Sequence, residues 1–390
     1  MPYLRNANVQ WGRIDLDDVL HMEVADDERE RFSLRRGDLL VCEGGEIGRC
    51  AVWTGDDGVM AYQKALHRIR GGPNLDVSYL RHLLDYYSRN GTLVRNSTGS
   101  TIRHLPQGAL RRLPVPLPPM DEQRRIVDLL EDHLSRLDAG ISLLKAAARR
   151  SEAWLQAVLH DVYVTRARRE GWPVVALEEL ATAPKAIVDG PFGSKLASRH
   201  YTDSGARVVR LQNIGDGVFR PAEAFISLDR YQDLAGHDVR ESDVVVASLG
   251  DDVPRAAVVP DLGGPAIVKA DCIRVRLDEG VEPAWIVWAC TLRESKTWAG
   301  DRMHGVGRQR LGLAGIRNLP IPLAPIELRP ALLAYITEQA SAAARLRSAI
   351  ERERAQAAVM RKALLEAAFA GRLTERSVDE DVEDLVSAAP

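Results

Sequence analysis

Aromatic residues make up only 5% of this 390-residue chain, while alanine and arginine are plentiful. That balance suits long helices better than an all-β sandwich, whose strands draw on aromatic and β-branched side chains. No stretch approaches the roughly 18 uninterrupted apolar residues of a membrane span. Residues 1–18 mix Arg5, Asn6, Asn8, Arg13 and Asp15 with no apolar core. This argues against a signal or transit peptide, so the expected location is the cytoplasm. The four cysteines, Cys42, Cys50, Cys272 and Cys290, form no CxxC pair. They read as small buried hydrophobes rather than as a disulfide or zinc framework. What is present, 45% hydrophobic and 27% charged residues, is ordinary globular composition, which excludes wholesale disorder.

A formal net charge of -3 argues against a uniformly basic nucleic-acid binder, but the sum hides segregation. Residues 15–30 and 374–390 are acid-rich, whereas Lys64, Arg68, Arg70, Arg81, Arg89, Arg95, Arg103, Arg111 and Arg112 are opposed only by Asp76 and Asp85. Such a stretch reads either as a phosphate-facing surface or as an ordinary solvated face.

The chain repeats itself. Leu113-Pro114-Val115-Pro116-Leu117 recurs as Leu319-Pro320-Ile321-Pro322-Leu323, an offset of 206 residues. With that offset, or 205 before a one-residue insertion, Arg5 and Asn8-Val9 fall on Arg210 and Asn213-Ile214. Asp38-Leu39-Leu40-Val41 likewise falls on Asp243-Val244-Val245-Val246, and Arg68-Ile69-Arg70 on Arg274-Val275-Arg276. Matches kept in order and register over more than a hundred residues identify a tandem duplication. Each copy opens with short apolar runs broken by Gly, Asp and Pro, a loop-rich mixed α/β (α+β) globule. The LPxP run ends it as an extended connector, because proline lacks the amide hydrogen and bars helix from the residue before it.

A long helix follows each LPxP run. In the first, Val127, Leu130, Leu134, Leu137, Ile141, Leu144, Ala148, Ser151, Leu155, Val158 and Val162 alternate steps of three and four, a heptad seam. In the second, Leu333, Ile336, Ala340 and Ala343 continue through either Leu346 or the in-register Ile350 to Ala357 and Leu364. The expected arrangement is an intramolecular antiparallel coiled coil, with small residues facing larger ones. The expected boundaries are 1–118 and 169–325 for the globules, 119–168 and 326–373 for the helices, and 374–390 for an acidic, disordered tail. A rod of about 36–40 helical residues measures about 55–60 Å, against about 34 Å for a turn of DNA.

Chemistry of other kinds is weakly signalled. Pro118-Pro119-Met120 lacks the Asn and aromatic of an NPPY-type methyltransferase motif. Gly190 to Lys195 reads Gly-Ser-Lys where a phosphate loop needs Gly-Lys-Ser/Thr. Pro260-Asp261 with Glu294-Ser295-Lys296 makes only a loose, permissive nuclease pattern. The loops do hold a DNA-reading inventory: Arg and Lys for phosphates and guanine, Asn and Gln for adenine, Gly for close backbone approach. In the second repeat the candidates are Phe192, Gly193, Ser194, Lys195, Arg210, Gln212, Asn213, Ser248, Lys269 and the stretch 302–310 with Arg302, Arg308 and Gln309. In the first they are Arg5, Asn8, Gln63, Lys64 and the run 95–103 with Arg95, Ser100 and Arg103. Arg68, Arg70, Arg274 and Arg276 alternate with apolar residues and read as the solvent face of a strand.

The layout, together with Asp189-Gly190-Pro191-Phe192-Gly193-Ser194, Arg210-Leu211-Gln212-Asn213-Ile214, Gly37-Asp38-Leu39-Leu40, Met120-Asp121-Glu122-Gln123 and Ala368-Phe369-Ala370-Gly371-Arg372-Leu373, resembles the specificity subunit of type I restriction-modification systems. The resemblance covers nearly the whole chain. It implies two target recognition domains, each reading half of a bipartite site in double-stranded DNA, and a coiled coil on which modification subunits dock. Those subunits would supply S-adenosylmethionine binding and base methylation, leaving this chain without a cofactor and non-catalytic; a restriction (translocase and endonuclease) subunit is a further implied partner. Two departures stand out. Ile326-Glu327-Leu328-Arg329 begins the second helix where the pattern expects Glu-Gln, and the first repeat has no upstream counterpart of residues 172–206. The competing readings are a self-contained DNA enzyme, either a nuclease or the DNA-binding half of a fused methyltransferase, and a coiled-coil scaffold without DNA affinity.

Overall fold

The computed structural model describes residues 1–99, 103–250, 252–305 and 307–374. They divide into two compact units, one made of 1–146 with the chain from 349 onward, the other of 147–348. Each unit contains one repeat and part of each long helix, so the division falls inside both helices rather than at the ends of the globules.

In the first unit the strand Leu39–Cys42 is flanked antiparallel by Cys50–Val52 and Leu66–Ile69. All four of its side chains are buried, because both faces of the sheet are covered. With the period of two, Leu39 and Val41 join the core under the helix Val77–Arg89, while Leu40 and Cys42 join Leu4, Val9 and Leu34 on the other side. That helix starts where Asp76 accepts hydrogen bonds from the Ser78 and Tyr79 amides at 2.8 and 3.2 Å.

The second unit repeats the plan with a larger sheet, in the order Ile187–Val188, Cys272–Val275, Val244–Ala247, Arg255–Val258. Val244 and Val246 face one core, Val245 and Ala247 the other. Register is preserved: Leu39 pairs with Ile69 and Val52, as Val244 pairs with Val275 and Val258. The helix Pro283–Thr291 stands where Val77–Arg89 does and opens on proline at its first position, where the missing amide costs nothing.

The duplication extends to individual hydrogen bonds. Arg70 grips the buried Asp38 through Nε and Nη2, both at 2.7 Å, and Arg276 grips Asp243 in the same fork at 2.9 and 2.7 Å. Arg68 donates to the Ser33 carbonyl at 2.9 Å, and Arg274, only 3% exposed, to the Asp238 carbonyl at 2.8 Å. All four arginines are therefore clamps, but only Arg274 is internal; Arg68 and Arg276 are half-buried, and Arg70 keeps the exposure expected from alternation while it grips Asp38. Tyr79 donates to the Pro116 carbonyl at 3.0 Å where Trp285 donates to that of Pro322 at 2.9 Å. Each of these rings also packs on an aromatic at the end of a long helix, Tyr79 on Phe369 and Trp285 on Tyr163.

The helix starts also correspond. Buried Gln123 donates to the carbonyls of Asn74 and Pro118 at 2.9 and 2.8 Å and accepts from the Asp76 amide. Arg329 occupies the same place, donating to Gly280 and Ala324 and pairing with Glu282 at 3.1 Å. The apparent departure from the Glu-Gln pattern is a replacement that keeps the connections.

The long helices are Met120–His160 and Arg329–Phe369, each of 41 residues. In the first unit Ile126, Val127, Leu130 and Leu134 pack with Leu364, Leu365 and Ala368, and further along Asp138 pairs with Arg361, so the helices run antiparallel there. In the second unit Trp154 donates to Gln339 at 3.2 Å. Ile336, Ala343, Ile350, Ala357 and Leu364 are buried at steps of seven, while Leu346 is 44% exposed, so Ile350 occupies the seam. Leu137, Ile141 and Leu144 are half-buried. All four cysteines are buried and free. Among the described residues no helix is long and apolar enough to cross a membrane. The acidic tail from 375 lies outside the described residues.

Candidate nucleic-acid interface

Both units present the same two devices at the loop end of their sheets. One is a corner. The Arg5 amide donates to Asn8 Oδ1 at 2.9 Å, and Asn8 Nδ2 reaches the Asp15 and Asp18 carbonyls at 3.1 and 2.9 Å. The Arg210 amide and Asn213 repeat this at 2.9 Å, with Nδ2 on the carbonyls of Arg220 and Ala222. The other is a hairpin finger. Thr98 and His104 exchange backbone bonds at 2.8 and 2.9 Å, and His304 and Arg310 do so at 3.2 and 3.0 Å. Each finger is rooted in its sheet by one further bond, Leu105 N–H to Glu43 and Leu311 N–H to Ser248.

This geometry sorts the expected readers. Asn8, Asn213 and Ser248 are buried, and the first two spend their amides on the corner while the Ser248 hydroxyl bonds the Asp271 carbonyl. In this structure all three side chains brace loops, where the sequence led us to expect free readers. Arg5 and Arg210 are half-buried and turn toward the carbonyls of Asp18 and Glu223, each at 2.9 Å. Gln63, Lys64, Arg95, Arg103, Ser194, Lys195, Gln212, Arg302, Arg308 and Gln309 are exposed. Arg95 bonds Thr92 Oγ1 at 2.9 Å, and Arg103 leans on Val94 and Ser97 at 3.3 Å. Arg302 stacks on Trp298, 4.3 Å from the ring centre. Ser100 lies outside the described residues.

In the second unit several of these converge. The segment at Gly190 lies so close to the Lys269 backbone that a Cβ there would stand 2.1 Å from the Lys269 carbonyl carbon. Gly193 adopts φ +59°, a left-handed conformation that glycine takes at no steric cost. Together they carry Phe192 outward, 48% exposed, with the Arg310 guanidinium 5.9 Å from its ring centre. Arg310 also pairs with Asp271 at 3.5 Å, and Asp189 accepts from the Asp271 and Gly190 amides at 2.9 and 2.7 Å. Burial pushes the Asp189 carboxyl up to about 6, aided by Asp271 and opposed by those amides and Arg310. Lys269, half-buried, lies 5.5 Å from the Tyr201 ring, which Arg210 approaches at 6.0 Å. The result is a cationic surface with an exposed aromatic and a finger carrying Arg308 and Gln309, suited to phosphates and base edges. Asp189, Asp271 and Tyr201 were not singled out as sites from the sequence. Tyr201 carried one signal, an aromatic among the cations Lys195 and Arg199 in an aromatic-poor chain.

The residues of the loose nuclease pattern are engaged elsewhere. Asp261 accepts from the Gly263 amide at 2.8 Å, Glu294 bonds His160 at 2.5 Å, and Lys296 bonds Asp216 and Asp252 at 2.5 and 2.9 Å. Among the described residues no group of three or more His, Cys, Asp or Glu is placed to hold a metal ion.

Two like α/β globules on long helices, each with a braced corner and a finger, define a duplicated recognition scaffold. Residues 17–144 match the type I restriction modification DNA specificity domain. The chain is 20% identical over 312 residues to the type I restriction enzyme MjaVIII specificity subunit of Methanocaldococcus jannaschii, covering 75% of this chain and 70% of that protein. It is 21% identical over 310 residues to the EcoBI specificity subunit of Escherichia coli, covering 75% and 65%. Among solved structures, a chain from a study of complex assembly and conformational transition in the type I R-M system shares the fold, with a TM-score of 0.70 and 19% identity over 95% of this chain and 92% of that one. The resemblance to type I specificity subunits read from the sequence is borne out.

Proposed function

We propose that this chain is the DNA-recognition subunit of a type I restriction-modification complex. Each unit reads one half of a bipartite target, and the long helices recruit the methyltransferase subunits. The observation that carries this reading is the repeated frame, which holds an exposed finger in each unit beside cationic side chains. In this reading the chain performs no catalysis. S-adenosylmethionine binds to the methyltransferase subunits, a restriction subunit joins the assembly, and the complex works in the cytoplasm. Lys64 and Arg103 contact phosphate. Replacing either with alanine weakens duplex binding equally across sequences and lowers the salt slope by about one. Anisotropy titrations of the double variant at several salt concentrations test this, and an unchanged slope returns the segment to a solvated face. The purified chain with DNA, Mg²⁺ and S-adenosylmethionine is expected to show no turnover; cleavage or methylation by it alone would favour the self-contained enzyme.

A further inference from the structure

The backbone at the root of the finger is the same in both units, but its side chains are not. In the second unit the Ser248 amide donates to the Asp271 carbonyl at 3.0 Å, the Leu311 amide to the Ser248 carbonyl at 2.8 Å, and Arg310 bridges to both Leu249 and His304. In the first, the Glu43 amide donates to the Ala65 carbonyl at 3.1 Å, the Leu105 amide to the Glu43 carbonyl at 2.7 Å, and His104 bridges to Gly44 and Thr98. Asp271 and Arg310 therefore stand where Ala65 and His104 stand. The acid and the base occur together in one copy and are both missing from the other, so the frame needs neither.

In the second unit the two side chains face each other, with Arg310 Nη1 3.5 Å from Asp271 Oδ1, the arginine 42% exposed and the aspartate 14%. An ion pair this open adds little to stability. Asp271 itself is fixed: it sits at φ +66°, its amide donates to Asp189 Oδ1 at 2.9 Å, and its carbonyl takes both the amide and the hydroxyl of Ser248. Asp271 Oδ1 is buried and, among the described residues, accepts no hydrogen bond, which leaves it to act on Arg310 by charge. Phe192 covers a further side of the guanidinium, 5.9 Å from its ring centre. A guanidinium held between a carboxylate and a ring keeps one orientation, which a phosphate contact does not require and a bidentate contact with guanine O6 and N7 does. The neighbouring carboxylate also repels phosphate, whereas the edge of a guanine carries no net charge.

We infer that Arg310 reads a guanine in the half-site of the second unit, with Asp271 as its positioning residue, and that the first unit, with Ala65 and His104 in their places, makes no arginine contact there. This rests on the DNA-recognition function proposed above and names one of its readers. The test uses the full chain and duplexes that it selects from a random-sequence pool. One of the two half-sites is expected to hold a G·C pair whose replacement weakens wild-type binding about fivefold or more, and 7-deazaguanine, which lacks N7, weakens it in part. Arg310→Ala binds all four base pairs there alike and ignores the 7-deaza change, while Arg310→Lys keeps the salt slope and loses the preference. Asp271→Asn binds unrelated duplex more tightly, one negative charge having gone, yet discriminates less at the same pair. Weaker binding of Asp271→Asn to every sequence would overturn its positioning role. The other half-site stays read in all three variants and is the control for folding. An Arg310→Ala chain that selects the wild-type sequence overturns the proposal, as does one that loses affinity equally for all sequences with a lower salt slope, the mark of a phosphate contact. A wild-type chain that selects no bipartite sequence is a different result, which removes the proposed function and this reader together.

Discussion

The two units keep one set of hydrogen bonds with different residues, and where they differ divides frame from tip. At frame positions the bond survives a change of side chain: Gln123 and Arg329 bind corresponding carbonyls, and Tyr79 and Trp285 both tie down a proline carbonyl of the connector. At the tips the backbone is kept and the chemistry changes. Gln63 and Lys269 donate their amides to corresponding carbonyls, those of Leu4 and Val209, yet carry a neutral and a charged side chain. His104 and Arg310 close equivalent fingers with different reach and charge. The function proposed above asks a duplicated binder to place its readers alike and let them read differently, and this pattern is suited to both needs.

The strongest way to break the comparison is at the buried frame. Arg329→Ala leaves two carbonyls without a donor and Glu282 without its partner, a loss of about 3–5 kcal/mol. Gln123→Ala removes a neutral group and costs less, about 1–3 kcal/mol. Denaturant titration of the two variants orders them, and Arg329→Gln is expected to recover part of the loss by adopting the first unit's solution. An Arg329→Ala variant as stable as the parent would remove the equivalence. A smaller effect is expected at Gly190→Ala, whose Cβ has to displace the Lys269 backbone. Losing one bidentate base contact costs about 1–3 kcal/mol of discrimination. Base-by-base binding scans should show one half-site relaxed and the other unchanged.

Much of this plan was legible beforehand because it is periodic. The heptad steps, the repeated LPxP run and the buried Leu39–Cys42 and Val244–Ala247 strands each announce themselves by spacing. What stayed hidden depends on which atoms meet. Asn8 and Asn213 have the side chains of adenine readers, and only their carbonyl partners show that they brace a corner. Arg329 and Gln123 share no chemistry that a sequence comparison scores, although both donate to two carbonyls. Arg276 alternates with apolar residues as a surface residue would, and its fork onto Asp243 is visible only in three dimensions.

Acid should separate the units next. Burial, Arg81 and Arg361 lower the His82 pKa to about 3 in the folded protein, whereas the unfolded chain takes up the proton near its ordinary value of 6.5. Stability from this position is complete above pH 6.5 and declines as pH falls, since only the unfolded state gains the proton. At pH 5.5 the loss is about 1.4 kcal/mol, before carboxylates of ordinary pKa titrate appreciably. Trp288 stands at the corresponding place in the second unit, so that position takes up no proton there. His82→Gln is expected to flatten the difference in unfolding free energy between pH 7 and 5.5, and an unchanged difference would assign it to another group.

The smallest expected effect isolates a single backbone position. Gly37 sits at φ +89° with its amide on the Trp53 carbonyl at 2.8 Å, and its counterpart Ser242 sits at φ +67° with its amide on the Val259 carbonyl at 2.9 Å. The turn before the central strand therefore demands a left-handed residue in both units, but only the first supplies glycine. A side chain in that region costs about 1–2 kcal/mol, part of which glycine returns through its freer unfolded state. Ser242→Gly should thus gain about 0.5 kcal/mol. Gly37→Ser should lose about 1 kcal/mol even though nothing lies within 4 Å of the Cβ it would add, because the cost is one of conformation and not of space. Opposite shifts in the denaturation midpoint, with the denaturant slope unchanged, would show that the turn imposes the same strain in both copies. A Ser242→Gly variant less stable than the parent would mean that serine makes up for the strain with an interaction the first unit does not use.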